Sequence, residues 1–171
     1  MHPWYYKGLE DETWCITSYI GSGETQVKIP ETYGGRPITI LNDDLFAHHG
    51  EIESVIIPDT VTNIGSFCFD GCDRLRELRL PSSLTDMWQY AIARCGIEEI
   101  TVPDHVETIV PFTFQDCKNL KKVILPAGLR RIYGKAFLRC ESLREVILPK
   151  TAEINPEAFE GCPDIRFEYI A

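Results

Sequence analysis

A chain of 171 residues, 44% of them hydrophobic, is long enough to bury its own core and too apolar to stay disordered. Its net charge of −9 and pI near 4.9 exclude nucleic acid and anionic membrane surfaces as partners, because both select clustered Lys and Arg. No apolar run reaches the roughly 18 residues of a membrane span, and no basic-then-apolar segment opens the chain, so no membrane insertion is expected.

The first predicted element is a strand over residues 13–20, Thr-Trp-Cys-Ile-Thr-Ser-Tyr-Ile. Gly21-Ser22-Gly23 reads as a turn and Gln26 to Ile29 as a returning strand, a hairpin that would cap the N-terminal end with Trp14 or Ile16 over the first coil. From there an apolar–x–apolar–Pro step recurs: Val27 to Pro30, Val55 to Pro58, Leu78 to Pro81, Ile100 to Pro103, Val123 to Pro126 and Val146 to Pro149. The prolines are spaced 28, 23, 22, 23 and 23. Cys72, Cys95, Cys117, Cys140 and Cys162 keep the same period, as do Phe46, Phe69, Ile92, Phe114, Phe137 and Phe159. A fourth column reads Ile40, Ile64, Met87, Ile109, Ile132 and Ile154. Ile165 to Tyr169 is the last predicted strand and, with residues 163–171, the expected C-terminal cap. On this reading the chain is complete at both ends.

Four columns with one period describe a solenoid, because a single unit cannot bury its apolar face and stacked units place each column residue on its equivalent in the next coil. Leu78 and Leu80 face inward and Glu77 and Arg79 outward. Proline then ends each strand, having no N–H for a ladder. Stretches such as Ser66 to Cys72 are expected as short helical or 3₁₀ turns that dock their Phe and Cys.

The unit Leu120, Val123, Leu125, Pro126, Ile132, Ala136, Phe137, Cys140, Leu143, Val146, Leu148 resembles the BspA-like leucine-rich repeats, and the resemblance covers residues 27–162. It implies an α/β leucine-rich-repeat solenoid with a parallel β-sheet on its concave face. Residues 1–171 then form a single domain: a cap hairpin over 1–29, about six repeats over 30–162 and a capping strand over 163–171. It also implies a bacterial binding or adhesive module, often placed on the cell surface. Three units depart from the pattern. Tyr33 to Pro37 is inserted in the first, Trp88 and Ile92 replace Gly and Phe in the third, and Asn155-Pro156 replaces Gly in the last.

No residue pattern points to catalysis, a metal or a cofactor. Cys68 and Cys72 are four apart with no second pair, which does not make a zinc site. Seven cysteines are an odd number and read as buried free thiols. His48 and His49 are adjacent and would point apart. The thiol count and the missing leader place the chain as given in the cytoplasm, whereas the family resemblance places it outside the cell.

Two surfaces are candidates for a partner. On the sheet, Ile56, Arg79, Thr101, Ile124 and Ile147 form an outward column. On the flank, Trp88, Tyr90, Phe112 and Tyr133 come together, either as a binding patch or as filling for the irregular third unit. The expected function is non-enzymatic binding of a protein, or of a glycan. The alternative is a structural or adhesion segment of a bacterial surface protein.

Overall fold

The computed structural model describes residues 2–170; Met1 and Ala171, the outer ends of the two expected caps, lie outside the described residues. Sixteen short strands follow one another among the described residues. The first five are β1 (Trp4–Gly8), β2 (Trp14–Tyr19), β3 (Gln26–Lys28), β4 (Thr32–Tyr33) and β5 (Arg36–Leu41). Then come β6 (Ser54–Ile56), β7 (Asn63–Ile64), β8 (Glu77–Arg79), β9 (Asp86–Met87), β10 (Glu99–Thr101) and β11 (Thr108–Ile109). The chain ends with β12 (Lys122–Ile124), β13 (Arg131–Ile132), β14 (Glu145–Pro149), β15 (Glu153–Ile154) and β16 (Arg166–Ile170).

They form a β-solenoid of three faces. The first face stacks β3, β6 and β8 in parallel, then β10, β12, β14 and β16. The second stacks β2, β5, β7 and β9, then β11, β13 and β15, also in parallel. Val55, Leu78, Ile100, Val123 and Val146 point inward from the first face and are buried. Ile64, Met87, Ile109 and Ile132 do the same from the second. Each fully buried column side chain contributes roughly 1.5–3 kcal/mol.

The third face differs from expectation: no helix of either kind occurs among the described residues. Consecutive turns occupy 66–71, 89–94 and their equivalents. Their backbone shows why. Phe67, Tyr90, Phe112 and Lys135 adopt positive φ (59°, 60°, 66° and 62°), and four residues later Gly71, Arg94, Asp116 and Arg139 do so again. A left-handed residue every fourth position stops a helix from propagating. It also turns alternate amides along the solenoid axis. Phe67, Phe69 and Gly71 donate their N–H to the carbonyls of Gln89, Ala91 and Ala93 in the next coil (3.2, 2.9 and 3.1 Å). The intervening amides close turns within the coil, Asp70 to Phe67 and Cys72 to Phe69. Left-handed bulky residues cost about 1–2 kcal/mol each, and the inter-coil hydrogen bonds offset that.

The column cysteines belong to this face. The thiols of Cys72, Cys95, Cys140 and Cys162 each donate to the carbonyl of the Phe-column residue one coil back, at 3.1 Å; Cys117 donates to Ile92 at 3.0 Å. Burial pushes the Cys72 and Cys117 thiols up to about 12. All seven cysteines are free, six of them buried. Phenylalanines of the same face stack along the axis: Phe46 on Phe69 at 5.2 Å, and Phe114 on Phe137 on Phe159 at 5.0 Å each. Ile92 separates the two stacks.

The N-terminal hairpin is built differently from the sequence expectation. β2 and β3 do not pair; β2 runs parallel to β5 on the second face and β3 parallel to β6 on the first. The hairpin is β1 with β2, antiparallel. Trp4 brings its ring to 4.8 Å from Tyr19 and 6.0 Å from Phe46, so the indole over the first coil is Trp4. Trp14 packs edge-on against Tyr33 at 5.1 Å, and Ile16 is fully buried. A second correction concerns register. Ile40 pairs with Asn63 and Leu41 with Ile64, so Leu41 holds the core column. The insertion from Tyr33 to Pro37 folds as an antiparallel β4–β5 turn, and beyond it the register against β2 slips by one residue between Ile38 and Ile40, which exchanges the faces of the strand.

A seam divides the solenoid. β8 does not pair with β10, nor β9 with β11, although their residues share columns. The cause is local. Other coils read Cys-x-x-Leu after the cysteine, as in Cys72 to Leu75 and Cys117 to Leu120, but the third reads Cys95-Gly96-Ile97. One residue fewer draws the coil in, and it cannot track its neighbour at ladder spacing around the whole circumference. Hydrogen bonds cross the seam on the third face: Ile92 N–H to Thr113 at 3.0 Å and Arg94 N–H to Gln115 at 2.8 Å.

Candidate functional site

Strand alternation sets the outward positions of the first face. β6 aims Ser54 and Ile56 away from the core, β8 aims Glu77 and Arg79, and β10 aims Glu99 and Thr101. Ile56, Arg79 and Thr101 are exposed, Ile56 to 60%, while Ile124 and Ile147 are half-buried. Cross-strand registry places Ile56 beside Arg79, and Ile124 beside Ile147. A groove of about 780 Å³ lies over Ile56, reached by Glu31, Asp59, Glu77, Arg79 and Glu99. The sequence column is thus one surface, split by the seam between Arg79 and Thr101.

The flank resolves into two kinds of residue. Tyr90 lies between Phe67 and Phe112, its ring stacked on theirs at 4.6 and 4.9 Å. These rings occupy the left-handed positions, are half-buried and use their faces on one another. Trp88 and Tyr133 sit one position past the second-face core residue and are 49% and 37% exposed. Arg131 lies 5.6 Å over the Tyr133 ring. Tyr90 and Phe112 therefore pack within the solenoid wall, and Trp88 and Tyr133 face solvent.

A third surface escaped the sequence reading. The missing residue at Gly96 leaves a cleft of about 490 Å³ between Arg94, Lys118, Arg139 and Asp73. Charge alternates along the wall. Arg94 Nη2 lies 2.7 Å from Asp70, and Arg139 holds Asp116 by two parallel bonds of 2.8 and 2.7 Å. The Arg139 guanidinium keeps the Asp116 carboxyl at about 2, below the ordinary carboxylate range. A depressed folded-state pKa contributes stability that is full above the unfolded value near 4 and is lost as pH falls toward 2. With Arg139 half exposed, this amounts to about 1 kcal/mol. Arg139→Gln should lower stability by that amount at neutral pH and by less near pH 2.5. Urea titrations at the two pH values check this, and an equal loss at both would refute it.

Chemistry at the histidines and cysteines is restricted. His49 Nδ1 is 2.7 Å from Glu51 and close to the Cys72 loop, but the Cys72 thiol is protonated and donates to the Phe46 carbonyl. No grouping of three or more His, Cys, Asp or Glu side chains suited to a metal occurs among the described residues. No described helix is long and apolar enough to cross a membrane.

The geometry matches known repeat proteins. No curated protein matches the chain. Among solved structures, it is similar to a leucine-rich repeat protein of T. pallidum, with 29% identity and a TM-score of 0.82 over 86% of this chain and 69% of that one. It also resembles a leucine-rich cell surface protein of Faecalibacterium prausnitzii A2-165, at 24% identity and a TM-score of 0.70 over 98% and 53% of the two chains. The pneumococcal vaccine antigen PcpA shares the fold at 20% identity and a TM-score of 0.75, over 95% and 46%. The chain thus spans about two thirds of the first of these proteins and about half of the other two. A model of the BspA-type leucine-rich repeat region matches residues 39–166 in six copies, which covers most of the stacked coils. The stacked columns, their 22- to 23-residue period and this match together place the chain in the BspA-type leucine-rich repeat family.

Proposed function

We propose that the chain is a non-enzymatic binding module that holds a protein partner against its first face. The observation that carries this is the outward column of Ile56, Ile124 and Ile147, apolar side chains that the core does not use. Single exposed apolar residues are ordinary, but apolar positions that recur in one outward column of a repeat face are the usual mark of an interface. Trp88 and Tyr133 give the flank a second, smaller surface, and an exposed indole also suits the face of a sugar ring.

The test is capture with mass-spectrometric identification, using wild type, Ile56→Gln/Ile124→Gln/Ile147→Gln and Trp88→Ala/Tyr133→Ala. The isoleucine variant should lose the partner with unchanged thermal unfolding, and the aromatic variant should keep it. The reverse result moves the site to the flank, where a glycan array would follow. Retention by both variants refutes binding on either surface.

The module belongs outside the cell on this proposal, either free or as an adhesive segment of a longer surface protein. The F. prausnitzii protein is described as a cell surface protein, and the chain spans only part of its relatives. The thiols do not argue for the cytoplasm. They are free, six are buried, and the column thiols are engaged with carbonyls, so they persist without a reducing compartment.

A further inference from the structure

The first-face column carries two acids in succession at the seam, Glu77 in the third coil and Glu99 in the fourth. Like charges side by side in a stacked column oppose the stacking. The same column avoids this elsewhere: Glu145 lies between Lys122 and Arg166, with ion pairs of 3.5 and 2.7 Å. Glu77, Glu99 and Glu31 make no ion pair among the described residues, and neither does Arg79. All four line the groove over Ile56, where acids outnumber bases four to two. A second hollow of about 320 Å³ continues from it along the open seam, sharing Arg79 and Glu99. Acids without an ion pair, an exposed aliphatic floor and an unladdered gap thus coincide, with Lys122 registered beside Glu99 and Lys28 beside Ile56.

We propose that this groove takes an extended, cationic segment of a partner protein. Two Lys or Arg side chains of the segment pair with Glu77 and Glu99, and an apolar side chain lies on Ile56. Side chains on one face of an extended chain recur every ~6.7 Å, within reach of two flexible glutamates on neighbouring coils. Arg79 donates to carbonyls of the segment. The assignment rests on the first face being the binding face, and it adds the chemistry of what binds there.

The test uses the full chain and a fluorescently labelled peptide that carries Val, Lys and Lys at alternate positions with Ser between them (Val-Ser-Lys-Ser-Lys), so that all three share one face, with Thr-for-Lys and Glu-for-Lys counterparts, read by anisotropy. The Lys peptide should bind and the counterparts should not. Glu77→Gln/Glu99→Gln should weaken binding about tenfold, or ~1.4 kcal/mol. Glu141→Gln/Glu160→Gln removes the same charge away from the groove and should change it little. Since Glu77→Gln/Glu99→Gln relieves repulsion, its thermal midpoint should stay level or rise, which separates lost binding from lost fold. No binding of the Lys peptide, no loss in the groove variant, or equal loss in both variants overturns the proposal. Failure here with the natural partner still lost from the isoleucine variant leaves the first face as the interface and removes only the cationic segment; retention of that partner removes the first-face reading itself.

Discussion

Phe137→Ala is expected to cost about 3–5 kcal/mol, the range for deleting a buried aromatic side chain. Phe137 is fully buried and is the middle ring of a three-ring stack, 5.0 Å from Phe114 and 5.0 Å from Phe159. Both stacking contacts go with the ring, each worth about 0.5–1.5 kcal/mol beyond burial. The neighbouring coils are held in place by hydrogen bonds to the same segment, Phe137 N–H to Ala158 and Phe114 N–H to Ala136. The cavity therefore cannot easily collapse. For a chain of this length the thermal midpoint should fall by about 6–20 °C. Phe69→Ala, which loses one stacking partner, should sit at the low end of the range. An unchanged midpoint for Phe137→Ala would remove the phenylalanine column from the core.

Gly96→Ala is the second large effect. A methyl group at residue 96 would lie 2.2 Å from the Asp73 carbonyl oxygen and 3.3 Å from that of Leu75. Both are backbone atoms of the preceding coil, so no side chain can swing aside. Overpacking against a flexible side chain costs about 1–3 kcal/mol, and a backbone clash should exceed the upper end of that range. Gly128→Ala is the control. Its added methyl would meet Asp104 at an ordinary 3.7 Å, and stability should move by no more than about 0.5 kcal/mol. Guanidinium unfolding of the pair decides the matter; similar midpoints would mean that the short third coil can relax around a side chain.

The columns were legible because each is a chemical constant at a fixed period. Cys and the Phe column recur at 22 or 23 residues, as Pro does after a first spacing of 28, and the inward alternation of the first face follows from them. The third face was not legible as turns. Left-handed backbone is ordinarily read from Gly or Asn, and here it falls on Phe67, Tyr90, Phe112 and Lys135, held by hydrogen bonds to the next coil that only stacking reveals. β1 was missed because it lies outside the period, and β2 to β3 resembled a hairpin because Gly21 to Gly23 turns a corner between faces as readily as it closes a pair. Leu41 was misassigned because a one-residue slip inside β5, between Ile38 and Ile40, leaves the strand's apolar character undisturbed. Among the candidate surfaces, the outward isoleucines followed from alternation. Tyr90 and Phe112 did not separate from Trp88 and Tyr133, since half-burial in a stack and exposure on a flank look alike in the period. The cleft at Gly96 needed the deletion to be placed in space.

The thermodynamic picture of the seam has a mechanical counterpart. Along the first and second faces the cross-coil ladder is interrupted at one level, and along the third it is continuous. Such a solenoid does not flex like a uniform rod. Its compliance is concentrated at one level, and the third face acts as the spine of a book whose covers are coils one to three and coils four to six. Opening the book widens the gap between Arg79 and Thr101, and closing it narrows that gap. The curvature of the molecule and the width of its groove are then a single degree of freedom, so a partner seated over the seam would set the bend of the whole solenoid.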